Sequence, residues 1–166
     1  MQSIETSYRL ERVQLVRRPL AETFAFFSDA YNLEAITPGY LKFRILTPRP
    51  IEMRAGTLID YRLSLFGIPF QWQTRIEEFE PGLRFVDSQS RGPYRLWLHT
   101  HTFTAVSEGT LMTDDVRYEL PLGWLGTLAH AVSVRRTLDK IFDYRHRRVA
   151  ELLDSPPHAA PAALSG

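Results

Sequence analysis

The spacing of apolar residues changes period twice along the chain. From Tyr8 to Val16, apolar and polar residues alternate, with Tyr8, Leu10 and Arg12 on one side and Arg9, Glu11 and Val13 on the other. That spacing predicts a first strand. Arg17-Arg18-Pro19 interrupts it. Pro19 suits the opening turn of a helix, where a missing N–H costs nothing, and Leu20, Phe24 and Phe27 follow at helical spacing. A second short helix is predicted over Tyr31–Ile36, stopped by Thr37-Pro38-Gly39. The period then returns to two. Phe43–Thr47, Thr57–Leu65 and Phe70–Phe79 read as strands. Ile59, Tyr61, Leu63 and Leu65 share one face, as do Phe70, Trp72, Thr74 and Ile76. Charged and amide side chains fill the opposite faces, which indicates antiparallel strands with one wet side. Phe85–Tyr118 reads as three more strands. Turn chemistry lies between the strands, at Gly67-Ile68-Pro69, Glu80-Pro81-Gly82, Arg91-Gly92-Pro93 and Glu108-Gly109. Beyond Pro121, Gly123 and Gly126, helical periodicity runs over Leu128–Leu153. Its stripe is Val134, Leu138, Ile141, Phe142, Val149 and Leu152, and Arg145, Arg147 and Arg148 complement the dipole near its far end.

The predicted order is one strand, two short helices, six strands and one long helix. A sheet with one dry face needs a cover, and only the terminal helix is long enough to provide it. The expected class is α+β, a helix-grip fold. A seven-stranded curved antiparallel sheet would wrap around a long C-terminal helix, with a cavity between them. One domain over residues 1–154 fits a chain of this length. The Pro- and Ala-rich residues 155–166 read as a disordered tail.

Trp97, His99, His101 and Phe103 share one strand face at two-residue spacing, against Leu96, Leu98, Thr100, Thr102 and Thr104 on the other. A hairpin closed around Ser107-Glu108 opposes Phe103 to Met112, His101 to Asp114, His99 to Val116 and Trp97 to Tyr118. Phe103 then meets Met112 and Trp97 meets Tyr118, the apolar matching that a buried face requires. The hairpin turned at Pro81-Gly82 opposes Ile76 to Asp87 and Thr74 to Gln89. The expected ligand-binding wall is therefore Tyr61, Trp72, Asp87, Gln89, Trp97, His99, His101, Phe103, Met112, Asp114 and Tyr118. Within it, His101 and Asp114 form the candidate catalytic pair. A ring N–H held by the carboxylate would orient the imidazole and raise its pKa. Such a pair suits cyclisation, dehydration or hydrolysis, whereas no activated Ser or Cys nucleophile is identifiable. Two imidazoles at i and i+2 with Asp114 make an incomplete donor set, so neither a metal nor another cofactor is expected. Arg135-Arg136 reads as a solvated helix face.

Composition removes several alternatives. With a net charge of +1 and no Lys/Arg run longer than three residues, the chain lacks the electrostatic footprint of a nucleic-acid partner. The absence of cysteine excludes disulfides, thiolate catalysis and Cys-ligated zinc. The opening MQSIETSYRLERV has no apolar signal core, and no apolar run approaches the length of a membrane span. A cytoplasmic protein without integral membrane association is expected.

Several segments resemble the SRPBCC superfamily of START-like and polyketide-cyclase-like ligand-binding proteins. They are Phe24–Asn32, Ile36–Met53, Gly56–Leu63, Gly67–Trp72, Phe85–Phe103 and Gly109–Pro121. The chain is particularly similar to bacterial members related to the module fused to epimerase-like cell-division-inhibitor homologues. It departs at Ser88 and Ser90, outward-facing positions where an apolar residue is usual. The resemblance implies the helix-grip fold. It implies a hydrophobic or aromatic small molecule in the cavity, or cyclase- or hydrolase-type chemistry, or regulation of an epimerase-like protein partner. The superfamily hosts carriers and enzymes on one scaffold, so fold does not choose among these.

Overall fold

The structure, a computed structural model, describes residues 7–65, 67–121 and 127–154. The N-terminal lead up to Thr6, the breaks at Gly123 and Gly126, and the tail expected over 155–166 lie outside these residues. The elements in order are β1 (Tyr8–Val16), α1 (Leu20–Ser28), α2 (Asn32–Ile36), a 3₁₀ turn (Gly39–Leu41), β2 (Arg44–Ile45), β3 (Leu58–Leu65), β4 (Ile68–Glu80), β5 (Arg84–Arg91), β6 (Leu96–Val106), β7 (Gly109–Glu119) and α3 (Thr127–Val149). A π-helical turn, Ala150–Asp154, follows α3. The strands form one seven-stranded sheet in the order β1-β7-β6-β5-β4-β3-β2, and every neighbouring pair is antiparallel. This is the helix-grip fold: a curved sheet closed on one side by the C-terminal helix. No helix among the described residues is long and apolar enough to cross a membrane.

The β6–β7 register is the one the sequence predicts: Trp97 opposes Tyr118, His101 opposes Asp114 and Phe103 opposes Met112. The β4–β5 register agrees only in its middle, where Ile76 opposes Asp87 and Thr74 opposes Gln89. Nearer the turn it slips by one residue, so that Phe79 opposes Phe85, because Glu77 is inserted as a bulge. An inserted residue lets Ile76 and Phe79 both point inward while Glu77 and Glu78 stay in water. A second shift lies between Gln73 and Thr74. Bulges bend a strand and increase its local twist, and these two curl the sheet toward α3. The first strand of the β3–β4 half, expected over Phe43–Thr47, is reduced to Arg44–Ile45.

α1 buries Phe24 and Phe27 against Phe85, Phe103 and Met112 at one end of the sheet. At the other end α3 lays Val134, Leu138 and Phe142 on Leu10, Val116 and Tyr118. Arg12, on the inward side of β1, reaches Asp139 of α3 at 2.6 Å and fastens the edge strand to the helix. The helix stripe differs from expectation at its end. Leu152 is exposed, and Leu153 packs on the core instead. The π turn holds more residues than an α turn, which rotates the last residues about the helix axis.

One glycine is fixed by both conformation and space. Gly109 opens β7 with φ +144, and a Cβ there would lie 2.2 Å from the Val16 carbonyl oxygen. Gly82, with φ +72, has open space around its Cβ position. Gly109→Ala is expected to destabilise the protein by clearly more than the roughly 1–3 kcal/mol of local strain that Gly82→Ala carries. Urea midpoints of the two variants measure the difference, and equal midpoints would show that the β7–β1 approach is slack.

Candidate functional site

Between the concave face of the sheet, α3 and the α1–α2 segment lies a cavity of about 220 Å³. Most of its wall is apolar and comes from alternate residues of the strands. Ile59, Tyr61 and Leu63 face it from β3, and Phe70, Trp72 and Ile76 face it from β4. Their alternation places them together, because only every second side chain of a strand reaches the dry side. Trp72 and Trp97 meet edge to face at 5.4 Å, and the Trp72 indole N–H donates to the Thr74 hydroxyl at 3.1 Å.

Polar groups gather on β5, β6, β7 and α3. His99 and His101 project side by side from β6, with ring centroids 3.7 Å apart. Each bonds a carboxylate on a neighbouring strand. His99 Nε2 lies 2.8 Å from Asp114 Oδ1 on β7, and His101 Nε2 lies 2.9 Å from Asp87 Oδ2 on β5. Both contacts run diagonally across the ladder, since Asp114 opposes His101 and Asp87 opposes His99 along the backbone. The ring of Phe85, opposite His101, stacks on it at 4.2 Å and fills the space straight across. The predicted His101–Asp114 hydrogen bond is therefore replaced. His101 Nδ1 comes within 3.1 Å of Asp114 Oδ1 but makes no hydrogen bond and is a buried, unsatisfied nitrogen.

Arg145 of α3 completes the cluster. The sequence places it among the arginines that complement the helix dipole; in the structure it is also buried, with 9% exposure. Its guanidinium lines the cavity, stands 3.4 Å from Asp114 Oδ1 and lies over the Phe27 ring at 5.3 Å. Its place was readable from spacing, since residue 145 falls between Phe142 and Val149 on the same helix stripe.

The charges follow from these contacts. Burial alone would raise the Asp114 carboxyl, but the Arg145 charge and the two imidazoles outweigh it and hold it well below the usual carboxylate range. Burial also opposes protonation of His101, and there the carboxylates of Asp114 and Asp87 prevail and raise its pKa. For His99, burial and the adjacent His101 prevail over Asp114, and its pKa falls. The arrangement can hold a polar or proton-accepting group of a guest at one end of an otherwise greasy chamber.

Of the eleven residues expected at the wall, Tyr61, Trp72, Asp87, Trp97, His99 and His101 line the cavity. Asp114 lies behind the imidazoles. Phe103 and Met112 are packed in the α1 cluster, and Tyr118 in the α3 cluster. Gln89 instead donates to the Tyr94 carbonyl at 2.7 Å and accepts from the Tyr94 N–H, bracing the β5–β6 connection. Facing inward was necessary for lining the cavity and was not sufficient, because neighbours on α1 and α3 cover both ends of the sheet.

The sequence matches the family described as "Domain of unknown function (DUF8410)" over residues 42–153. No curated protein matches it. Solved structures share its architecture at low identity. Protein CV1439 from Chromobacterium violaceum is 18% identical with a TM-score of 0.67, the alignment covering 91% of this chain and 99% of that one. The ZhuI aromatase/cyclase from Streptomyces sp. R1128 is 12% identical with a TM-score of 0.73, covering 90% and 94%. Ara h 8.0201 is 15% identical with a TM-score of 0.61, covering 88% and 99%. At these identities the likeness extends to the fold alone.

Asp114→Asn is expected to lower stability at neutral pH by about 3 kcal/mol, because it leaves the buried Arg145 charge without its counter-ion. Adding Arg145→Met should restore a large part of that loss. The pH dependence has a fixed sign. A carboxyl depressed in the folded state stabilises the protein above its unfolded pKa, and the contribution disappears as pH falls through the folded value. The gap between wild type and Asp114→Asn should therefore narrow below about pH 4. Urea midpoints across that range measure it; losses that simply add in the double variant would show that the two residues are uncoupled.

Proposed function

The chain belongs to the DUF8410 family, and since that family carries no assigned activity, we propose from the cavity that the protein binds a compact apolar or aromatic small molecule between its sheet and its C-terminal helix. The observation that supports this is the chamber of about 220 Å³ with a mainly apolar wall and one polar end. Close-packed interiors keep few voids larger than a water molecule. A guest that occupies the space gains by burying its own apolar surface against this wall. The few polar groups, Asp87, His99, His101 and Arg145, orient the guest, as convergent polar groups do in small-molecule sites.

A second reading rests on one contact. His101 and Asp87 both line the cavity and lie 2.9 Å apart, so an imidazole ordered by a carboxylate faces the guest. In this reading the protein is a cyclase-, dehydratase- or hydrolase-type enzyme. Asp87 then takes the orienting role expected of Asp114, and His101 exchanges the proton. Neither the matched family nor the similar structures described above name an epimerase-like partner. Residues 1–154 then form one cytoplasmic ligand-binding domain.

Leu63 is a half-buried wall residue, and Ala30 is a buried one beside α2. Leu63→Trp and Ala30→Phe should each fill the chamber and weaken binding of the apolar dye N-phenyl-1-naphthylamine by at least about tenfold, roughly the loss of one well-buried side-chain contact. Circular dichroism checks that each variant is folded. Native mass spectrometry of freshly purified protein should reveal a copurified guest of small mass. Wild-type dye affinity in both folded variants would count against the cavity as the binding site.

A further inference from the structure

Beyond orienting a guest, the two imidazoles and Asp87 stand close enough together to share one ion. From their geometry we propose that Asp87, His99 and His101 constitute a binding site for one divalent transition-metal ion, with Asp114 as the carboxylate that holds both imidazoles in ligating orientation.

One ligand atom from each of the three residues lies within 4.8 Å of the others. Asp87 Oδ2 stands 2.9 Å from His101 Nε2 and 4.0 Å from His99 Nδ1. Ligands bound to one zinc-like ion at about 2.0–2.1 Å in tetrahedral geometry are separated by roughly 3.3 Å, a value between these two distances. Side-chain rotations that shorten the widest separation, up to 4.8 Å, bring the three atoms to one centre. The opposite nitrogens of both rings converge on a single oxygen behind them. His99 Nε2 is 2.8 Å, and His101 Nδ1 3.1 Å, from Asp114 Oδ1. Ligating histidines characteristically donate their remaining N–H to a carboxylate, which fixes the tautomer and ring orientation. Here one carboxylate serves both rings.

The unsatisfied nitrogen of His101 fits the same scheme. In the metal-free arrangement its Nε2–H is spent on Asp87, and Nδ1 is buried without a hydrogen bond. A metal ion taking Nε2 displaces that proton, and the neutral ring then carries its hydrogen on Nδ1, where Asp114 accepts it. Binding thus satisfies an atom that is otherwise orphaned. Two imidazoles select a transition ion over magnesium or calcium, which prefer all-oxygen shells. With His101 neutral, as a ligand must be, the two carboxylates outnumber the single Arg145 charge, so a dication is electrostatically welcome. Asp87, His99 and His101 line the cavity. The coordination positions they leave open point at the guest, and an oxygen of that guest can complete the shell.

Full-length protein, stripped with a chelator and dialysed, is titrated with Zn²⁺ against a chromophoric chelator and with Co²⁺ by its visible absorption. One equivalent of Zn²⁺ per chain is expected, with intensified Co²⁺ bands of a low-coordinate imidazole site. Asp114→Asn should weaken Zn²⁺ about 10–100-fold, the effect of losing a carboxylate behind the ligands. Asp87→Asn and His101→Gln should weaken it further. Circular dichroism of the metal-free variants confirms folding, and the near-isosteric Asp87→Asn keeps the test open should His101→Gln fail to fold. Zn²⁺ affinity in Asp87→Asn equal to wild type, or uptake attributable to His130, His146 or His158, would overturn the site. Dye binding by metal-free wild type reads the cavity proposal separately: dye without Zn²⁺ overturns only the metal site, and Zn²⁺ without dye overturns only the guest.

Discussion

A single buried carboxylate sets the geometry of the site. Asp114 has lost most of its hydration and stays ionised because Arg145, His99 and His101 surround it. An unpaired charge in that position would be strongly destabilising, so the residues that pair it must arrive together. They come from β6 and from α3, so forming the ion cluster and docking the helix are one event. The height and rotation of α3 are fixed where Arg145 meets Asp114. Leu138, Ile141 and Phe142, within two turns of it, are thereby aimed at the cavity. The same guanidinium lies over Phe27 of α1 and Phe142 of α3, linking the polar cluster to the apolar roof.

Curvature of the sheet keeps the chamber open above this cluster. A regular β4 would turn either Ile76 or Phe79 outward. The bulge at Glu77 keeps both inside and bends the strand. The short β2 leaves the far edge narrow. α1 packs on one end of the sheet and α3 on the other, and between them Ile59, Tyr61, Trp72 and Ile76 pack side by side as the cavity wall. The cavity that results is apolar over most of its wall, with Asp87, His99, His101 and Arg145 gathered at one end.

The fold was legible because strand alternation and one long amphipathic helix leave few architectures. The β6–β7 register was legible because the tight turn at Ser107-Glu108 fixed it and each apolar pair agreed. The β4–β5 bulge was not read, although its signal was present. Ile76 and Phe79, separated by two acids, cannot both be buried at a strict period of two. The crossed histidine pairing was beyond a register argument, which fixes Cα neighbours but not the lean of two rings pressed aside by Phe85. In the sequence Arg145 reads as a helix-end charge because arginines cluster there. Its position on the buried stripe outranked that habit once a carboxylate stood opposite. Phe103, Met112 and Tyr118 were assigned to the wall because they face inward, and only the helices that cover them remove them from it.

The tautomers of His99 and His101 in metal-free protein test this account most directly. Long-range ¹H–¹⁵N correlation at neutral pH distinguishes a protonated from an unprotonated ring nitrogen. An ionised Asp114 accepting from His99 requires a hydrogen on His99 Nε2, the lowered His99 pKa leaves its Nδ1 unprotonated, and the contact with an ionised Asp87 requires a hydrogen on His101 Nε2. Rapidly exchanging rings with ordinary, solvent-like titration, or a His99 hydrogen resident on Nδ1, would contradict the buried carboxylate as the centre of the site.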